Sequence, residues 1–212
     1  MRIAVFGGTG RLGLRIAGEG LRRGHTVTVV SRNGTPTEGP EAAPRHLRAD
    51  ATDIGSVRRI TAEHDVLVSV IKPEPTGASS TVVQAAQVFL KVLGETPGTR
   101  LIAVGGAGTL KDRDGRRLID DPEFPELFKP YARAHADALD LYRADRTADW
   151  VCLSPADDLD PGERTGTYRL GKDHLVYDAE GNSRISMEDM AVAVLDEAED
   201  RRHHRERFTV GY

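Results

Sequence analysis

The chain has 212 residues, of which 39% are hydrophobic and 29% charged, with a formal net charge of −4 at pH 7. That is the size and composition of one globular domain, with at most a small appended lobe, and so mild a charge gives no ground for a nucleic-acid or anionic-membrane partner. No apolar run approaches the ~20 residues that span a bilayer. The first residues lack the basic segment and apolar core of a signal peptide. The single cysteine, Cys152 in the apolar run WVCL, rules out an intramolecular disulfide and reads as a buried strand thiol, so a cytoplasmic location is expected.

In chain order, IAVFGG is a short apolar run that ends in glycines. RLGLRIAGEGLRRG predicts a helix whose face Leu12, Gly13, Ile16, Ala17, Gly20 and Leu21 is small or apolar, with Gly24 ending it. TVTVV predicts the second strand, and SRNGTPTEGPEAAP a polar loop rich in Gly and Pro. RHLRAD is a weak third strand, and GSVRRITAEH a short helix. DVLVSVI is a fourth strand, apolar enough to be buried on both faces as in a parallel sheet. SSTVVQAAQVFLKVL is an amphipathic helix, TRLIAVGG a fifth strand, and PELFKPYARAHADALDLYRAD contains the next helix. DWVCLSP, MEDMAVAVLDEAED and RFTVGY close the chain as strand, helix and strand.

Strand followed by helix, repeated about six times, predicts a doubly wound α/β sheet in a single domain. Two inserts break the alternation. KDRDGRRLI predicts a hairpin around Asp114-Gly115. The stretch from about 156 to 186 predicts short strands and turns that form a small substrate cap. Both inserts follow the carboxyl ends of strands, where such folds bind ligands.

The glycines Gly7-x-x-Gly10-x-x-Gly13 lie between the first strand and the first helix, the context a dinucleotide site requires. Gly7 permits the tight turn, Gly10 lets the backbone approach a pyrophosphate, and Gly13 lets the helix pack on the sheet. The helix N-terminus offers unpaired N–H groups and a positive dipole end. The alternative is a purely structural turn. An NAD site usually ends its second strand with an acidic residue. Here the chain reads Val30-Ser31-Arg32-Asn33, and Glu19 and Glu38 lie well outside that position. Arg32 suits a 2′-phosphate, so NADP(H) is expected over NAD(H). The alternative is a solvated loop cation.

The motif GGTGRLG, SRN after the second strand, ADATD after the third, GGAG after the fifth and SPA after the sixth together resemble the extended and atypical branches of the short-chain dehydrogenase/reductase family. The resemblance covers nearly the whole chain, including the ending RISMEDMAVAVLDEAED. LSPADDLDPGERTGTYRLGKDHL and RFTVGY narrow it to the NAD(P)H-binding, NADH-flavin reductase group, small relatives of biliverdin reductase B and NmrA-type proteins. It implies a Rossmann-type fold with Gly7, Thr9, Gly10, Arg11, Leu12, Gly13, Ser31 and Arg32 on the cofactor. It also implies that Asp50 accepts from the adenine amino group, with Ala51 beside the ring. Capping of the next helix, by Asp50 or Asp53, is the alternative. By position, Ser69, Val70 and Ile71 line the ribose and nicotinamide side.

Most relatives supply a proton from a Tyr-x-x-x-Lys pair and position substrate with a strand-five serine. This chain has Tyr131-Ala-Arg-Ala-His135, and only Thr109 offers a hydroxyl after strand five. Tyr131 and His135 share a helix face at i and i+4 and are the candidate catalytic pair. The alternative is a helix pair at the surface or facing the cap. The missing lysine suits a flavin-like or quinone-like acceptor, which takes hydride directly while solvent supplies the proton. Gly105 and Gly106 are expected to clear room for its ring, with Pro155 and Ala156 bordering the slot and Tyr168 and His174 reaching it from the cap. The other histidines show no metal spacing, and His203-His204 in EDRRHHRER reads as a solvated helix end. The expected function is an NADPH-dependent reductase whose partner is a small-molecule hydride acceptor. The alternative is a non-catalytic redox sensor of the NmrA kind. An epimerase or dehydratase is a third reading, which the missing lysine disfavours. Monomer and homodimer both stay open.

Overall fold

A computed structural model describes residues 1–34, 44–73 and 80–212. The expected loop at 35–43 lies outside these residues. The elements in chain order are β1 (Arg2–Phe6), α1 (Arg11–Arg22), β2 (Thr26–Ser31), β3 (Arg45–Arg48), α2 (Ile54–Thr61), β4 (Val66–Ser69), α3 (Thr81–Glu95), β5 (Arg100–Val104), α4 (Lys129–Ala144), β6 (Trp150–Ser154), β7 (Asp158–Asp160), β8 (Arg169–Gly171), β9 (Arg184–Ser186), α5 (Met187–Asp200) and β10 (Arg207–Gly211).

Eight strands form one sheet in the order β3-β2-β1-β4-β5-β6-β10-β8. Every neighbouring pair is parallel except β10 with β8. From β1 the chain winds one way to β2 and β3 and the other way to β4 and β5. The carboxyl ends of β1 and β4 therefore flank the switch point of a Rossmann-type fold, where such sheets leave a crevice.

The central strands are apolar along their length because helices cover both faces. On one face Val5, Val29, Val68, Ile102 and Leu153 pack against Ile16 and Ala17 of α1 and Met190 and Val194 of α5. On the other, Phe6, Leu67, Leu101 and Trp150 pack against α2, α3 and α4. There Phe6 meets Phe89 edge-on at 5.0 Å, and Tyr142 stacks on Trp150 at 5.6 Å. Cys152 is buried in this layer, and burial pushes its thiol up to about 12.

The first insert closes as a tight turn. Asp112 N–H donates to the Arg116 carbonyl at 2.8 Å, and one antiparallel bridge joins Lys111 to Arg117. The second insert forms the expected short strands and turns. β8 adds to the sheet edge, and β7 pairs with β9. The segment 162–166 lies as a strap across α1 and α5. Gly162 N–H donates to Glu188, Arg164 pairs with Glu19, and the Thr165 and Gly166 N–H groups donate to Asp189. Burying the Glu19 and Asp189 carboxylates requires partners for them, and those partners hold the segment down on the helices.

Candidate functional site

The first turn is built by steric exclusion. Gly7 sits at φ +79°, and a Cβ there would lie 2.7 Å from the Val70 carbonyl oxygen. A Cβ at Gly13 would lie 2.4 Å from the Gly7 oxygen, so only glycine lets α1 start this close to β1. Gly10 is different. Its φ of −77° suits any residue, and an added Cβ meets only the Gly7 oxygen, at 3.2 Å. A side chain there would press on that one backbone oxygen alone, and with glycine the outer side of the turn is open to an approaching group. α1 starts with no side-chain cap and no acidic residue in its first turn. Its first N–H groups lack intrahelical acceptors and aim out of the fold.

Above this turn lies a cleft of about 510 Å³. Phe6, Gly7 and Thr9 form its floor, Val30 to Asn33 and Ala49 to Ala51 one wall, and Ile71, Lys72 and Thr81 the other. Ser31 Oγ accepts from Gly34 N–H at 3.0 Å, and Arg48 Nε donates to the Arg32 carbonyl at 3.0 Å, which fixes the loop that presents Arg32. Asp50 Oδ1 accepts from the N–H and hydroxyl of Thr52 at 2.9 and 2.8 Å, orienting the carboxylate at the cleft edge. Asp53, not Asp50, caps α2 by accepting from Ser56 N–H at 2.8 Å. Cradle, volume and donors fit a dinucleotide. Gly10 and the α1 N–H groups would take the pyrophosphate, and Arg32 and Asp50 the adenosine end.

Beyond the cleft, α4 packs against the loop after β5. A Cβ at Gly106 would lie 2.9 Å from the His135 ring, one at Gly108 2.7 Å from Ala132 Cβ, and one at Gly105 2.9 Å from Cys152 Sγ. The room these glycines make is filled by α4 and β6, which corrects the expectation that Gly105 and Gly106 leave a slot for a ring. Burial pushes the His135 imidazole down to about 4, so it is neutral near pH 7. Tyr131 is half-buried, and the Lys72 ammonium lies 5.8 Å from its ring centre. Thr109 Oγ1 donates to the Gly106 carbonyl and accepts from Arg207, so it braces the loop.

The family model described as NAD(P)H-binding matches residues 7–201. The chain belongs to the NAD(P)H-binding family. Solved structures agree in fold over the whole chain. A Burkholderia pseudomallei protein named as exported is 39% identical, with a TM-score of 0.87 and full coverage of both chains. A Streptococcus pneumoniae protein named as an NADH-flavin reductase is 33% identical at a TM-score of 0.87, with 100% of this chain and 99% of that one covered. A Bacteroides thetaiotaomicron protein named as an epimerase is 35% identical at a TM-score of 0.88, covering 100% and 96%. All three names are provisional.

Around this cleft, several expected site residues have contacts of their own. Leu12 packs against the core, and Arg11 is exposed and lies 3.8 Å from Asp160. Val70 packs on the core while its carbonyl abuts Gly7. Pro155 is buried, and Ala156, at 1% exposure, packs beneath α5 and borders no slot. The Tyr168 hydroxyl donates to Asp196 of α5 at 2.5 Å, beside Arg23 at the far end of α1 from the cleft. His174 bridges to Lys111 next to the outer strand β8. These last three do not join the site. His203 is not solvated: its Nδ1 lies 2.7 Å from Glu197, and its ring stacks on Phe208 at 3.9 Å. Sequence reasoning missed Lys72 and Thr81. Lys72 directly follows the expected strand-four residues, a position that could have suggested it, whereas Thr81 is the first residue of α3. Among the described residues no group of three or more His, Cys, Asp or Glu is placed to hold a metal ion, and no helix is long and apolar enough to cross a membrane.

Proposed function

We propose that the protein is an NADPH-dependent oxidoreductase that transfers hydride to a flavin-like or quinone-like small molecule. The observation that carries this reading is the cleft at the carboxyl ends of β1, β2 and β4, together with His135 packed on Gly106 where the resemblance implies a lysine. A neutral imidazole supplies no cation to steer a tyrosine proton donor, so the site suits an acceptor whose proton comes from solvent. The NADH-flavin reductase name of the 33% identical relative agrees with it. When bound, NADPH supplies the hydride. Gly10 and the α1 N-terminus hold the pyrophosphate, Arg32 the 2′-phosphate, and the β4 end orients the nicotinamide half.

The test follows the near-ultraviolet absorbance of NADPH with purified protein, with and without FMN or riboflavin, and repeats it with NADH. Loss of absorbance only when protein and flavin are both present is the expected result. No loss, with tight NADPH binding in the same sample, overturns the reductase reading in favour of an NmrA-type redox sensor. Arg32→Ala tests the cofactor preference. A hydrogen bond to a charged group is worth about 1.5–3 kcal/mol, so NADPH affinity should fall at least about tenfold while NADH affinity barely moves. Equal losses would remove Arg32 as the phosphate contact.

A further inference from the structure

We propose that Lys72, together with the Phe128–Tyr131 face of α4, selects acceptors that are planar, aromatic and negatively charged. This names the substrate class of the site above and rests on the reductase reading.

Lys72 leaves β4 three residues after its last residue and lines the dinucleotide cleft on the wall opposite Arg32. Its ammonium reaches across to α4 and lies over the Tyr131 ring. Among the described residues no carboxylate pairs with it. Near the start of α4, Lys129 pairs with Glu126 and Arg117 with Asp120, while Arg133 is exposed. Lys72 thus presents its positive charge to the Tyr131 ring, beside the cleft wall that it lines.

Two side chains of α4 and its N-cap residue continue that junction outward. His135, Tyr131 and Phe128 recur at helical spacing and share one face. His135 is neutral and packed on Gly106, Tyr131 is half-buried, and Phe128 is 55% exposed at the rim. Their spacing sets three aromatic rings along one side of the helix, with the Lys72 ammonium over the middle one. A flat ring gains from stacking on Tyr131 and Phe128. A negative substituent on that ring gains a charge-assisted contact with Lys72. The α1 N-terminus would hold the pyrophosphate and Arg32 the 2′-phosphate, which would leave Lys72 to the acceptor.

FMN and riboflavin carry the same ring and differ by one phosphate, so they are the probes. Flavin fluorescence is titrated with protein saturated in NADP⁺, and NADPH turnover is measured with each flavin. Wild type should bind FMN about tenfold more tightly than riboflavin. The ratio should collapse toward one in Lys72→Gln and return in Lys72→Arg. A ratio near one in wild type, or one that survives Lys72→Gln, overturns the role of Lys72. Flavin turnover in that same sample would leave the reductase reading standing. Loss of NADPH affinity in Lys72→Gln with the FMN ratio intact would assign Lys72 to the cofactor instead. Absence of turnover with both flavins removes the reductase reading, and this proposal with it.

Discussion

α1 and α5 both begin just past a strand, on the same face of the sheet, and they begin in opposite ways. α1 starts at Gly10 with no side-chain cap and no acid in its first turn. α5 starts at Ser186, whose Oγ accepts from Asp189 N–H at 3.0 Å, and it carries Glu188 and Asp189 in its first turn. Asp189 also accepts from Thr165, Gly166 and Tyr212. Both helix ends present the same unpaired donors and the same positive dipole end. α5 meets them with its own acids and is locked by the strap and the C-terminal strand. α1 meets them with glycine and leaves them facing the cleft. Where a helix start lacks an anion of its own, beside a cradle that no side chain fills, an external anion has a place.

The largest expected effect lies on the locked side. Arg100 is buried and pairs with Glu197 at 2.6 Å, with His203 on the second carboxylate oxygen. Glu197→Ala leaves the buried guanidinium with only the more distant Asp149 carboxylate, at 3.9 Å, and should cost about 3–5 kcal/mol, read by urea unfolding. NADPH affinity of the folded fraction should stay as in wild type. On the open side, Gly10→Asp gives α1 the kind of start that α5 has. Stability should change by only a few tenths of a kcal/mol, while NADPH affinity falls at least about a hundredfold by charge repulsion at the dipole end. Retained affinity would break the comparison. The converse change, Ser186→Ala, should cost about 1 kcal/mol and leave NADPH affinity alone.

Two smaller effects sharpen it by pH. Burial raises the Asp189 pKa, and hydrogen bonds from Thr165, Tyr212 and Gly166 outweigh that, so the folded value lies below the ordinary one. Its contribution to stability is then present above the ordinary Asp value near 4 and is lost as pH falls through the lower folded value. The stability gap between wild type and Asp189→Asn should therefore narrow on acidification below about pH 4. The smallest effect belongs to His135. With its pKa held near 4, it titrates below the working range. His135→Gln should leave the shape of the pH–turnover profile between about pH 5.5 and 8 unchanged, whatever it does to the rate. An inflection that disappears in the variant would restore His135 as a proton carrier.

The amino-acid sequence by itself determined the alternation of strand and helix, the glycine turn, an Arg rather than an acid after β2, and the burial of Cys152. Each of these is local: a hydrophobic period, a positive φ at Gly7, a residue type within a few positions of a strand end. Only the tertiary structure decided that Lys72 lies over Tyr131, that Gly106 makes room for His135, and that Tyr168 is held by Asp196. It alone decided that Arg164 reaches Glu19 across 145 positions and ties down a segment of the second insert. Such pairings follow from parallel crossovers, which bring together residues far apart in the chain, and from the cost of leaving a buried carboxylate or imidazole without a partner. No short-range pattern records either one.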